Sequence, residues 1–362
     1  MSSNFSIAVF NGDGIGPEIM SPTVSILRDM ADQSKAYCLE FTTLPAGATH
    51  YAKTQESLPE QSLKTAREAD AILLSAMGLP SIRYPDGTEI SPQIELRQAL
   101  NLFAGVRPVR IFKGPNSPLK LNDEHNVIDF VLVRESTEGL FHTQGCGDVT
   151  ENEATETLKI TRATSEKLFR FAFELAKTRQ SRNKGPGKVS CIDKANVFRA
   201  FAFFRQLFDD EAAKHPTITA DHAYVDATAL WMVQKPWMFD VMVTENMFGD
   251  ILSDLGAGLM GGLGLAPSAD IGEHHAVFQP CHGTAPDIAG ENCANPFAMI
   301  LSAAMMLDWL GEKHQNSALV RDAKRLEDAV YTVIQQGTSL TADIGGMAST
   351  TEAANAVVDA LR

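Results

Sequence analysis

The chain has 362 residues, 44% of them hydrophobic, which is enough to build a core in about two domains and excludes intrinsic disorder. Its net charge of −14 argues against nucleic acid and anionic membranes as partners. Five scattered cysteines without a CxxC pair indicate neither a disulfide framework nor a zinc site, so we expect a reducing, cytoplasmic compartment. We expect no signal peptide and no membrane span, because no apolar run approaches the roughly 18 residues a span needs.

Short apolar runs alternate with helical stretches along the chain. The first run, at 6–10, is followed by a glycine-rich turn and by Pro17, which suits a first helical position. This alternation is typical of an α/β fold whose sheet is covered on both faces. We predict strands at 6–10, 71–77, 127–133, 188–192, 222–226 and 239–244, and helices at 163–180, 196–214 and 317–336. The polar segment 141–156 is interpreted as a functional loop or an interface arm.

The glycine-rich turn after the first strand reads GDGIG (12–16). Glycines that enter a helix can present backbone N–H groups to phosphate. The GxGxG spacing matches neither the dinucleotide GxGxxG motif nor a phosphate loop, so a plain turn is favoured over a ligand loop.

Two aspartates lie four residues apart in NMFGDILSDLGAG (246–258). If this run is helical, Asp250 and Asp254 share one face, where their charges repel unless a cation lies between them. A hard divalent cation would resolve the repulsion, although acids at this spacing are also common on solvated faces. Asp226, at the end of the 222–226 strand candidate, is a candidate third ligand.

Several cations adjoin apolar segments in this acidic chain. Arg97, Arg107 and Arg134 could together bind a di- or tricarboxylate, since guanidinium groups match carboxylates bidentately, although each alone fits a surface salt bridge. Lys194 follows a predicted strand and could act as a general base or simply be solvated. A further segment, 279–296, has the glycine and proline content of an ordered ligand-binding loop.

These pieces, in this order, resemble the isocitrate and isopropylmalate dehydrogenase family of metal-dependent β-decarboxylating dehydrogenases. The resemblance extends over nearly the whole chain, and its most specific motifs are NMFGDILSD (246–254) and HGTAPDIAG (282–290). It also includes NGDGIGPE, LRQALNLFAGVRPVR, VRESTEG, DKANV and TADIGG.

The resemblance implies a two-domain α/β fold with a large central sheet flanked by helices, distinct from the Rossmann dinucleotide fold. The larger domain would comprise 1–107 and 257–362, with both termini and the NAD loop. The smaller domain, 108–256, would carry the dimer interface and an arm at 141–156. An obligate homodimer with shared active sites is implied, because Lys194 and one metal aspartate reach the neighbouring subunit's site in this family.

The resemblance also assigns roles to the candidate residues. Arg97, Arg107 and Arg134 would bind the malate carboxylates, and Lys194 would assist deprotonation of the hydroxyl. Mg²⁺ or Mn²⁺ would be held by Asp226, Asp250 and Asp254, so that Asp226 belongs to the catalytic set with Lys194.

The cofactor prediction rests on Asp287 in APDIAG. NAD-using members of the family carry an acid there to bond the ribose hydroxyls, whereas the acid would repel a 2′-phosphate. We therefore predict NAD. The resemblance places its adenosine side against His282, Gly283, Thr284, Ala285, Asp287 and Asn295.

Two positions depart from the family pattern. Phe141 stands where the family has a tyrosine regarded as the proton donor, so His142 or a water is the candidate substitute, unless decarboxylation is slow and the natural substrate differs. Gln279 stands where relatives usually have glutamate.

The stretch before Arg97 is where the family reads the group on the substrate's third carbon. Ser91 and Gln93 approximate the isocitrate-type arrangement, which favours a polar substituent or none over isopropyl. We expect an NAD- and Mg²⁺/Mn²⁺-dependent oxidative decarboxylase of a (2R)-malate-type substrate, with isopropylmalate, isocitrate, D-malate and tartrate as candidates. The alternative is a non-catalytic regulatory subunit of an isocitrate dehydrogenase-type assembly.

Overall fold

The structure is a computed structural model that describes residues 3–112, 118–119, 121, 127–143 and 145–362. Its strands are β1 (Ser3–Phe10), β2 (Tyr37–Thr43), β3 (Ala71–Leu74), β4 (Ala104–Phe112), β5 (Val127–Glu135), β6 (Asp148–Val149), β7 (Ala154–Thr155), β8 (Lys188–Asp193), β9 (Thr219–Tyr224), β10 (Val241–Thr244), β11 (Pro267–Ile271) and β12 (Ala276–Pro280).

Helices cover most of the remaining described chain. They are α1 (Gly16–Ser34), α2 (Ala48–Thr54), α3 (Glu60–Glu68), α4 (Pro92–Ala99), α5 (Arg162–Ser181), α6 (Arg199–Ala212), α7 (Val225–Gln234), α8 (Asn246–Met260), α9 (Phe297–Lys313), α10 (Ser317–Gln336) and α11 (Thr350–Leu361). The predicted α/β class is confirmed.

The chain divides into two compact units. The first comprises 1–100, 261–269 and 273–362, and the second comprises 101–260 and 270–272. The division falls near 100 and 260, a few residues from the predicted boundaries at 107 and 256. The dimer interface and arm assigned to the middle of the chain stay predictions.

The first unit contains the strand order β2-β1-β3-β12 and residues 267–269 of β11, and its β1 pairs in parallel with β2 and β3. Four consecutive buried residues, 7–10, give β1 the near-continuous apolar run of a strand covered on both faces. Most residues of helix α9 are buried. Helix α11 begins with a capping box between Ser349 and Glu352. As predicted, Pro17 lies in the first turn of α1.

The second unit contains the order β4-β5-β10-β8-β9. The β4–β5 pair is antiparallel, and the other three pairs are parallel. A cluster of phenylalanines joins α5 and α6, where Phe169 lies 4.6 Å from Phe204 and 5.4 Å from Phe208 between ring centroids. Each such side chain contributes about 1.5–3 kcal/mol to stability through burial, which anchors both helices.

The segment 141–156 has little regular structure. A single 3-10 turn, Leu140–Thr143, precedes the two-residue strands β6 and β7, which pair in antiparallel fashion. Gln144, within this segment, lies outside the described residues. Among the residues that the structure describes, no helix is both long enough and apolar enough to cross a bilayer.

Candidate active site

Three parallel strands of the second unit bring most of the predicted catalytic residues to one edge. Thr244 at the end of β10 is in register with Arg134 of β5 on one side and Ile192 of β8 on the other. The loop that follows β10 therefore begins beside Arg134, and the loop that follows β8 begins one strand further along the same edge. In parallel sheets, ligand sites form at these carboxyl ends.

Arg134 is the centre of a buried polar cluster in the second unit. Its side chain is 6% exposed, and it donates through Nε and Nη2 to Asn246 Oδ1 at 2.9 and 2.6 Å. Its Nη1 forms an ion pair with Asp250. Asn246 is fully buried and donates in turn to the Glu138 carbonyl oxygen at 3.0 Å. The guanidinium is therefore held in one orientation by groups on β5 and α8.

Asp250 and Asp254 lie on one exposed face of α8, as their spacing predicted. Burial and the neighbouring charge of Asp250 raise the pKa of Asp254, while Arg134 and Arg107 oppose the rise. Carboxylate oxygens are the ligands that Mg²⁺ and Mn²⁺ prefer, and these two are accessible from outside the chain. The donor set thus fits a hard divalent cation, which would also relieve the repulsion between the two acids.

Arg107 lies within β4, and its side chain is buried. Its Nη2 is 3.3 Å from the buried carboxylate of Asp270 in the same unit. Arg97 is also buried, but it belongs to α4 of the first unit. Arg107 and Arg134 therefore lie on the paired strands β4 and β5 of the second unit, whereas Arg97 belongs to the first unit.

Lys194 and Asp226 form a pair of their own. Lys194 Nζ lies 2.7 Å from Asp226 Oδ1, and this hydrogen bond lowers the pKa of the exposed Asp226 carboxyl. The prediction that Asp226 ends a strand is wrong: β9 stops at Tyr224, and Asp226 lies in the first turn of α7. An acid there is stabilised by the helix dipole, which favours the helical start over a longer strand.

The three predicted metal ligands do not come together within one chain. Among the described residues there is no group of three or more aspartate, glutamate, histidine or cysteine side chains that could hold a metal ion. Asp250 and Asp254 are neighbours on α8, whereas Asp226 pairs with Lys194. That Lys194 and one metal aspartate reach the neighbouring subunit's site stays a prediction.

Phe141, in place of the family's tyrosine, lies against Arg134. The centroid of its ring is 5.8 Å from Arg134 Cζ, within range of a cation–π contact. His142 follows it in the same 3-10 turn and is exposed. Phenylalanine thus keeps the packing of an aromatic ring beside the arginine and removes the hydroxyl.

A buried acid that the sequence patterns did not reveal lies next to this turn. Glu245 is 1% exposed, its Oε1 is buried without a hydrogen-bond partner, and burial raises its pKa. A Cβ at Gly139, whose φ is +74°, would overlap that oxygen, so the turn before Phe141 packs directly on Glu245. Its place between the end of β10 and the NMFGDILSD motif was the available signal.

The predicted specificity residues lie at the start of α4 in the first unit. Ser91 is the N-cap of the helix, and its hydroxyl donates to the Glu89 carbonyl oxygen at 3.1 Å. Gln93 Oε1 is buried without a hydrogen-bond partner. One turn along α4, Glu95 accepts from Ser57 Oγ at 2.8 Å and from Tyr84 Oη at 3.3 Å. Gln93 thus has a buried side-chain acceptor that bonds to no described group.

The predicted cofactor loop follows β12, also in the first unit. Thr284 is buried and donates to the Gly78 carbonyl oxygen at 2.7 Å, whereas Gly283 and Asp287 are exposed. Burial lowers the pKa of His282, whose Nδ1 is 2.9 Å from the Gly283 carbonyl oxygen. Ala285, which lies between Thr284 and Asp287, has a positive φ of 36°.

Asn295, at the other end of the loop, is buried and already bonded within the unit. Its Oδ1 accepts from the Phe297 amide at 3.0 Å, and its Nδ2 donates to Asp343 Oδ2 at 3.0 Å. Asp343 belongs to the TADIGG motif, so this contact links that motif to the end of the predicted cofactor loop. The acid Asp287, by contrast, is exposed on this loop.

The geometry of both units is matched by known proteins. The family model described as isocitrate/isopropylmalate dehydrogenase matches residues 6–357. The chain belongs to this family. The resemblance drawn from the motifs is therefore confirmed over nearly the whole chain, as is the predicted type of fold.

Two relatives from one organism, Methanocaldococcus jannaschii, differ in the substrate that they are named for. A 3-isopropylmalate/3-methylmalate dehydrogenase is 40% identical and is matched over 98% of both chains. A homoisocitrate dehydrogenase is also 40% identical and is matched over 98% of this chain and 97% of its own. Overall identity therefore does not distinguish these substrates.

A solved structure supports the same assignment. The crystal structure of isocitrate dehydrogenase from Methylococcus capsulatus matches with a TM-score of 0.83 at 35% identity, over 99% of each chain. All three of these proteins are dehydrogenases, which supports an oxidoreductase of the β-decarboxylating type.

Proposed function

We propose that this protein is an NAD-dependent, Mg²⁺- or Mn²⁺-dependent dehydrogenase that oxidises and decarboxylates a (2R)-malate-type hydroxy-diacid. The observation that carries the proposal is the cluster in which Asn246 holds Arg134 beside Asp250 and Asp254. A cationic carboxylate-binding group next to accessible oxygen donors fits a hydroxy-diacid together with a divalent cation.

Each residue has a role that follows from its chemistry. Arg107 and Arg134, on adjacent strands, bind substrate carboxylates, and Arg97 is proposed to complete that set. Lys194 accepts the proton of the substrate hydroxyl, and Asp226, 2.7 Å away, stabilises the resulting ammonium. When bound, the metal lowers the pKa of that hydroxyl, and NAD accepts the hydride.

The second half of the reaction needs a proton. Loss of carbon dioxide leaves an enolate, and the C–H bond that forms at carbon requires an acid that Phe141 cannot supply. We propose that His142, exposed in the same turn, or a water delivers it. If keto acid and carbon dioxide form one to one at normal rates in both the wild type and His142→Ala, the role of His142 is refuted.

Two places in the chain support proposals for the choice of cofactor and for the group on the substrate's third carbon. The exposed Asp287 favours NAD over NADP, because a carboxylate repels the 2′-phosphate. Ser91 and Gln93 favour a polar substituent, or none, on the third carbon, since Gln93 offers an unused buried acceptor. We also propose a homodimer in a reducing, cytoplasmic compartment, which is consistent with five free cysteines.

A panel assay tests the proposal. NADH absorbance is followed with Mn²⁺ and with isopropylmalate, isocitrate, homoisocitrate, D-malate or tartrate, using NAD or NADP, with and without EDTA. We expect one EDTA-sensitive substrate and a preference for NAD. Binding of a hydroxy-diacid without turnover would instead support the regulatory-subunit alternative.

A further inference from the structure

The two acids of NGDGIGPE (11–18), Asp13 and Glu18, accept hydrogen bonds from distant parts of the first unit. The glycine spacing of the motif does not predict these contacts. Asp13 is 2% exposed, and its carboxylate accepts three backbone N–H bonds within the first unit. The donors are the amides of Ala48 and Gly78, at 2.8 and 2.9 Å from Oδ2, and of Thr49, at 2.8 Å from Oδ1. Asp13 therefore joins the turns that follow β1 and β3 to the start of α2.

The turns after β1 and β3 are also hydrogen-bonded to the beginning of the cofactor loop, which comprises residues 281–296. Thr284 Oγ1 donates to the carbonyl oxygen of Gly78, whose amide is bonded to Asp13. The Ile15 amide donates to the Thr284 carbonyl oxygen at 2.9 Å. Gly14 has a φ of +56°, and a Cβ there would overlap that same oxygen. Asp13 and the backbone around it thus fix the loop at Thr284.

Glu18, in the first turn of α1, holds the other end of the loop. Its carboxylate accepts from the amides of Gly290 at 3.2 Å and Ala294 at 3.0 Å, and from Thr350 Oγ1 at 2.6 Å. Burial raises the pKa of Glu18, but these hydrogen bonds outweigh it and leave the pKa below the ordinary value. The acid is therefore bonded as a carboxylate at neutral pH.

We infer that Asp13 and Glu18 are positioning residues that fix the cofactor loop at both ends and thereby set its affinity for NAD. The inference rests on the proposed function for its ligand. Both acids bond backbone amides or a hydroxyl of the protein, so their contribution is a loop already ordered before the nucleotide arrives. A preformed loop lowers the entropic cost of binding.

The test uses substitutions that keep shape and change the hydrogen-bonding pattern. In Asp13→Asn and Glu18→Gln, one carboxylate oxygen becomes an NH₂ group that must face an N–H or O–H donor. Asp322→Asn is the matched control. Asp322 is a fully buried acid of the same unit that accepts from Tyr37 Oη and Arg325 Nη1, both at 3.2 Å.

Two readouts are measured on the full-length protein. Hydrogen exchange of the 281–296 segment is followed without NAD, and KM for NAD and kcat are measured on the substrate found in the panel. We expect both loop variants to exchange faster in this segment and to raise KM for NAD by roughly 10-fold, with kcat changed far less. Asp322→Asn should lower the melting temperature without either effect.

Unchanged loop exchange in both variants would overturn the inference, as would equal effects in the control. Faster exchange with an unchanged KM for NAD would refute the link to affinity. If the wild type reduces no NAD with any substrate, the proposed function fails. Exchange of the loop then still decides whether Asp13 and Glu18 hold it.

Discussion

Complementation between two inactive variants tests the proposed sharing of active sites between subunits. In the structure, Lys194 and Asp226 form one pair, while Arg134, Asp250 and Asp254 lie together at α8. If the pair serves the neighbouring subunit, Lys194→Met damages the partner's site and Asp250→Asn damages its own. Each homodimer should lose at least about 10²-fold in activity, since each variant removes a group that acts on the reacting hydroxyl or binds the metal.

The mixed dimer has a calculable activity. One of its two sites contains both substitutions, and the other contains neither. The chains are co-expressed with different tags and purified through both tags, so that only mixed dimers remain. Their activity should then be about half that of the wild type, because one intact site of two is preserved.

A second mixture provides the control. Lys194→Met and Asp226→Asn alter two residues that are bonded to each other in one chain, so both sites of that mixed dimer carry one defect. It should stay as inactive as its parents. The reasoning is refuted if the Lys194→Met and Asp250→Asn mixture gains no activity, or if both mixtures recover equally.

Three further substitutions test individual contacts. Phe141→Tyr should speed release of the final keto acid by roughly 10²-fold if protonation of the enolate limits turnover, and equal rates in both proteins would contradict this. Asn246→Ala should lower stability by about 2 kcal/mol and raise KM for the substrate more than for NAD, because two bonds to the Arg134 guanidinium are lost; equal effects on both KM values would argue against it. Glu245→Gln should stabilise the protein at neutral pH, since burial raises the pKa of Glu245 and the folded state is penalised wherever the carboxyl ionises. That gain should vanish as the pH falls below the ordinary glutamate value of about 4.3, and a gain independent of pH in thermal unfolding would count against the buried charge.

Local sequence patterns were sufficient to predict those helices and strands whose residues follow a regular apolar or charged spacing. The four-residue spacing of Asp250 and Asp254 predicted one helical face, and α8 confirms it. Near-continuous apolar runs located β5 and β8 to within a few residues. The helix predicted at 317–336 matches α10.

Strands with polar interruptions were missed. The β4 strand, AGVRPVRIF, contains two arginines and a proline, which hide its apolar alternation. It is stabilised instead by its antiparallel partner β5. Conversely, the predicted strand 222–226 ran two residues too far, because Val225 has strand propensity but begins α7.

The parts of the site that could not be predicted are contacts between distant residues. Arg134 and Asn246 are 112 positions apart, and Glu18 and Gly290 are 272 apart. No periodicity within a window of sequence relates such residues; only the parallel strand order and the return of the chain to the first unit do. The family resemblance assigned roles to many side chains. It did not identify the residues that contact Arg134, the turn before Phe141 or the cofactor loop, which are Asn246, Glu245, Asp13 and Glu18.

The most direct test of the account is a Mn²⁺ titration of NADH formation in the EDTA-treated wild type and in Asp254→Asn, with the substrate found in the panel. Asp254 shares its exposed face with Asp250 and has no role in folding that the account requires. We predict that EDTA abolishes activity, that Mn²⁺ restores it, and that the variant needs at least about 10-fold more Mn²⁺. Turnover that is insensitive to EDTA, or identical titrations of the two proteins, would contradict a metal-dependent dehydrogenase site at α8.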